Sequence, residues 1–67
     1  MKRFVIEYAN SEKKETKKWM KPESYIVYCE YLEQIIRDYK RGFYTDRETI
    51  QLIFNAYSDL QKKQWKI

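Results

Sequence analysis

Residues 42–48, Gly-Phe-Tyr-Thr-Asp-Arg-Glu, separate two stretches of helical periodicity and constrain the chain more than any other feature. Gly42 is free to take the left-handed conformation that closes a helix. Thr45 and Glu48, three apart, have the spacing of a capping box that opens the next one. Charge agrees with this division. Arg37, Lys40 and Arg41 crowd the end of the first stretch, Asp46 and Glu48 begin the second, and Lys62, Lys63 and Lys66 lie near its end. Each sign faces the macrodipole end that it stabilises, by about 0.3–1 kcal/mol per charge. Two antiparallel helices over residues 22–65 are therefore expected.

Both stretches carry an apolar face. In the first, Pro22 suits the opening turn, where its missing N–H costs nothing. Tyr25, Tyr28, Cys29, Leu32, Ile35, Ile36 and Tyr39 then recur at three- and four-residue steps. In the second, Ile50, Ile53, Phe54, Tyr57 and Leu60 do the same. Ile26, Val27, Tyr31, Leu52 and Ala56 fall outside these stripes and need another cover. The face of an N-terminal ribbon carrying Phe4, Ile6 and Tyr8 is one candidate cover and a second copy of the chain is the other, and a homodimer is expected.

Ahead of the pair, Phe4, Ile6 and Tyr8 alternate with Arg3, Val5 and Glu7, the pattern of a half-buried strand. Residues 9–14 interrupt it with turn formers and charge, and residues 15–20 return as a second strand. A competing reading makes Ser11 to Met20 a short helix capped by Asn10 or Ser11. The fold expected is thus α+β: an N-terminal β-hairpin, or a strand plus a short helix, packed on an antiparallel two-helix pair. Residues 1–67 form one domain, with a basic ribbon over 1–21 and a helical hairpin over 22–65.

A chain of 67 residues has a marginal core of its own. One cysteine excludes an internal disulfide, and the absence of histidine removes the commonest metal ligand and the usual general base. With one glycine there is no phosphate-cradling loop. Neither an enzyme nor a cofactor or metal site is expected. Glu30 and Glu33 are read as a solvated helix face, and Cys29 as a small hydrophobe. No apolar run reaches the length of a signal peptide core or a membrane span, and a cytoplasmic location is expected.

The net charge of +4 lies wholly in residues 1–21, where Lys2, Arg3, Lys13, Lys14, Lys17, Lys18 and Lys21 face only Glu7, Glu12 and Glu15. Two functions follow as expectations. In the first, the protein is a nucleic-acid-associated regulatory or accessory protein whose ribbon brings these cations to phosphates and stacks Trp19 on a base. In the second, it is a protein-binding module or inhibitor of the kind phages and mobile elements encode. That reading uses Val27, Tyr31, Tyr44, Leu52 and Trp65 as its interface, with the exposed aromatics as anchors.

Overall fold

The computed structural model describes residues 2–63, with side chains described for 3–62. These residues form four helices and no strand: α1 (Lys2–Lys17), α2 (Pro22–Lys40), α3 (Asp46–Phe54) and α4 (Ala56–Lys63). The α2–α3 joint is built as the residues dictate. Gly42 sits at φ 91°, in the left-handed region. Thr45 caps α3 by accepting from Glu48 N at 3.1 Å, and Glu48 Oε1 returns by accepting from Thr45 N at 2.9 Å. Pro22 opens α2, and its N-cap Lys21 makes no side-chain capping bond.

The expected hairpin does not form. A single helix runs through residues 2–17, including the Ala9-Asn10-Ser11 segment that was to be a turn. The strand reading also inverts the faces. Val5, assigned to its outer side, is fully buried, whereas Phe4, assigned inward, is 60% exposed. The burial pattern explains why. Val5, Ala9, Glu12 and Thr16 follow one another at steps of four, three and four, with Glu12 half-buried and the others buried. In α2 the buried residues Tyr28, Leu32, Ile35 and Tyr39 have the same spacing, and so do Thr49, Ile53, Ala56 and Leu60 across α3 and α4. Three equal stripes at helical spacing close on one another as a three-layer helical bundle whose third member is bent.

The bend is at Asn55, whose φ of −92° and ψ of 0° leave the helical region while its N–H still reaches Gln51 O and Ile53 O. The second helix expected from the sequence is therefore two. Phe54, expected inside, lies one residue off the stripe and is 71% exposed. α1 runs antiparallel to α2, with Lys13 Nζ 3.5 Å from Glu33 Oε2. α3 packs on both α1 and α2, and α4 lies along α2.

Two threonines enter the core without penalty. Thr16 Oγ1 donates to Glu12 O at 2.8 Å, and Thr49 Oγ1 donates to Thr45 O at 2.8 Å. Among the described residues no buried side-chain polar atom lacks a partner. The Tyr39 hydroxyl, at the end of α2, donates to Asp46 Oδ1 in the first turn of α3. That bond, together with burial, pushes the Tyr39 hydroxyl up to about 12. Burial, with the nearby Glu12 carboxylate, does the same to Tyr28, also to about 12.

Candidate functional site

Without a ribbon, the early cations lie along one helix and the turn after it. Arg3 pairs with Glu7 at 3.1 Å, Lys18 with Glu15 at 3.6 Å and Lys13 with Glu33 at 3.5 Å, so three of the expected phosphate contacts are already engaged with carboxylates. Lys14 and Lys17 are exposed on α1, and Lys21 caps α2. The side chain of Lys2 lies outside the described residues. Trp19 is 56% exposed and engaged on one side within the chain. Its ring meets Tyr57 edge-on, with centroids 5.1 Å apart and planes at 83°, and this contact ties the α1–α2 turn to α4. The ribbon mechanism is overturned by these placements.

The aromatic interface fares no better. Val27, Tyr31, Tyr44 and Leu52 are half-buried and pack against the chain's own core. Burial, with Asp59 and Tyr44 nearby, raises the pKa of Tyr31. Trp65 lies outside the described residues. The large apolar side chains that are exposed, Phe4, Trp19, Ile26, Phe43 and Phe54, are distributed over α1, α2, α3 and both joints, and they form no aromatic cluster. Of the residues outside the two expected stripes, Ala56 is fully buried, Val27, Tyr31 and Leu52 are half-buried, and Ile26 stays exposed.

What the helical α1 creates is a groove against α2 that the expected fold did not contain. It has a volume of about 370 Å³ and is lined from α1 by Ile6, Ala9, Asn10 and Lys13, and from α2 by Glu33, Ile36, Arg37 and Lys40. Ile6, Ala9 and Ile36 make an apolar floor. Lys13, Arg37 and Lys40 stand around it, against a single carboxylate, Glu33, which Lys13 engages. Arg37 Nη1 donates to the neutral Gln34 Oε1 at 3.2 Å, and no carboxylate among the described residues pairs with Arg37 or Lys40.

Local sequence sets this arrangement. Arg37 and Lys40 belong to the last turn of α2, where cations offset the negative end of the macrodipole. Lys13 lays its stem across the edge of the core, with its side chain 22% exposed, and carries its ammonium to Glu33. Ile6, Asn10 and Lys13 share a flank of α1 only if residues 2–17 are helical, so this site has no counterpart in a hairpin.

Among the described residues no three acidic or cysteine side chains converge as a metal site. Cys29 is half-buried and hydrogen-bonds the Tyr25 hydroxyl, which raises the pKa of that tyrosine. Among the described residues no helix is long and apolar enough to cross a membrane. The chain matches no protein-family model, no curated protein and no solved structure.

Proposed function

We propose that this chain is a small non-catalytic interaction domain that holds an acidic, partly apolar segment of a partner protein in the groove between α1 and α2. The observation that carries this reading is that Lys13, Arg37 and Lys40 line one groove together with Ile6, Ala9 and Ile36. An apolar side chain of the partner fills the floor, and its neighbouring carboxylates meet the rim. Arg37 offers the planar fork suited to a carboxylate, and it is free to exchange its neutral acceptor Gln34 for a charged one. The surface differs from both of those the sequence suggested, since it uses neither a ribbon nor the exposed aromatics. The unpaired thiol of Cys29 is in keeping with a reducing compartment such as the cytoplasm.

The test is a titration of the isotope-labelled protein, followed by amide chemical shifts, with a synthetic peptide of Glu and Leu and with its Gln and Leu counterpart. The expected result is a set of shifts confined to Ile6, Asn10, Lys13, Ile36, Arg37 and Lys40 with the acidic peptide alone. These should weaken as salt screens the rim. Replacing Lys13 and Lys40 together by Gln should abolish them. Equal response to both peptides, or shifts scattered over the whole surface, would remove the reading.

A further inference from the structure

The outward face of α2 carries charges that enter no ion pair among the described residues. Glu23, Glu30, Gln34, Arg37 and Arg41 recur along it at near-heptad spacing, all are exposed, and they lie away from the buried stripe of Tyr28, Leu32, Ile35 and Tyr39. The line is acidic in its first half and basic in its second. The macrodipole accounts for Glu23 in the first turn and for the cations at the far end. It does not account for Glu30, the ninth residue of α2, because the effect fades beyond one turn. Glu30 also lacks a cation on its own helix: Ile26, Val27, Glu33 and Gln34 occupy the positions three and four away. Among the described residues none of Glu23, Glu30, Arg37 and Arg41 enters an ion pair.

We propose that two copies of this chain pair antiparallel along α2, about a two-fold axis beside Gln34. In that register Glu30 of each copy faces Arg37 of the other, so the halves of opposite sign meet, whereas a parallel arrangement would set like charges together. The same register brings Ile26, 59% exposed, against the aliphatic stem of Arg41 from the other copy. It also places Phe43, 65% exposed and just past the end of α2, at the level of Glu23 and Ser24 of that copy. The two-fold repeats every contact, as a self-complementary face requires. One helix face against another is at the small end of specific interfaces, so the pairing is a weak, reversible one that salt opposes.

Sedimentation velocity at micromolar to millimolar concentration, in low and high salt, tests this. The wild-type chain should associate at low salt. Glu30→Lys and Arg37→Glu should each weaken association about tenfold or more, because each replaces two attractions by two repulsions. Mixing the two single variants should restore it, since Lys at 30 then faces Glu at 37 and Arg37 still faces Glu30. Circular dichroism of each variant confirms that α2 persists. Arg37 also borders the α1/α2 groove; Glu30 does not, so the Glu30 reversal reads this face alone. A wild-type chain that stays monomeric throughout, single variants that associate as the wild type does, or a mixture that fails to associate would each overturn the proposal.

Discussion

The chain reverses direction at two joints, and these are held by different means. Between α2 and α3, Gly42 takes the left-handed turn, Thr45 and Glu48 exchange capping bonds, and Tyr39 reaches Asp46 seven residues on. Every partner is a near neighbour in sequence. Between α1 and α2 there is no glycine, Lys21 gives no side-chain cap, and the turn closes on the backbone bonds Lys18 N to Glu15 O and Trp19 N to Thr16 O, both 3.2 Å, and Met20 N to Thr16 O, 2.9 Å. Its anchor is Trp19 against Tyr57, a residue from the far end of the chain. The first joint is specified by its own residues; the second is completed only when α4 arrives.

The largest way to break this contrast is to remove what both joints share. Leu32, fully buried in the centre of α2, should cost about 2–5 kcal/mol when replaced by Ala. Urea denaturation measures the loss. Hydrogen exchange should show α1 amides losing protection before those around Thr45 and Glu48, because α1 depends on tertiary burial and a short helix alone is marginal.

Alkaline pH strains the α2–α3 joint next. Tyr39 and Tyr28 are held near 12 when folded, against 10.0 for an unperturbed tyrosine. Between about pH 10 and 12 the unfolded chain has lost protons that the folded one retains. The stability these groups contribute is therefore complete below about pH 10 and falls as pH rises towards 12. Thermal melts across that range should show the decline, and Tyr39→Phe should flatten it.

Substitutions confined to the α2–α3 joint come third. Gly42→Ala should cost about 1–2 kcal/mol, since a side chain at φ 91° is strained even though nothing lies within 4 Å of a β-carbon there. Thr45→Ala should cost about 1 kcal/mol through the lost cap. Exchange should rise locally at the start of α3 in both. Trp19→Ala should have the smallest equilibrium effect, about 0.5–1.5 kcal/mol for its half-exposed ring pair. Its signature is different in kind: protection should fall at the α1–α2 turn and in α4 together. If that loss stays local, the distinction between the two joints is wrong.

The same contrast explains what could be read from residues. The α2 helix and the start of α3 announce themselves through Pro22, Gly42, the capping box and stripes of large side chains. The α1 helix carries the same four-three-four stripe, but in Val5, Ala9, Glu12 and Thr16, which are small, polar or charged and scarcely register as apolar periodicity. Phe4, Ile6 and Tyr8 dominate the local pattern and imitate a strand. The groove went unseen for that reason, since Arg37 and Lys40 look like macrodipole partners until Ile6, Asn10 and Lys13 are set beside them.

Residues close in sequence determined the α2–α3 joint, the direction of both its helices and the confinement of excess charge to the first third of the chain, because capping, φ restriction and dipole complementarity act over a few positions. Tertiary packing decided that residues 2–17 are helical, that Trp19 turns to Tyr57, and that three cations from two helices line one groove with Ile6, Ala9 and Ile36. A stripe of Val, Ala and Thr favours helix over strand only when another surface covers it. That surface is formed by α2 and α3, which no local pattern in the first seventeen residues contains.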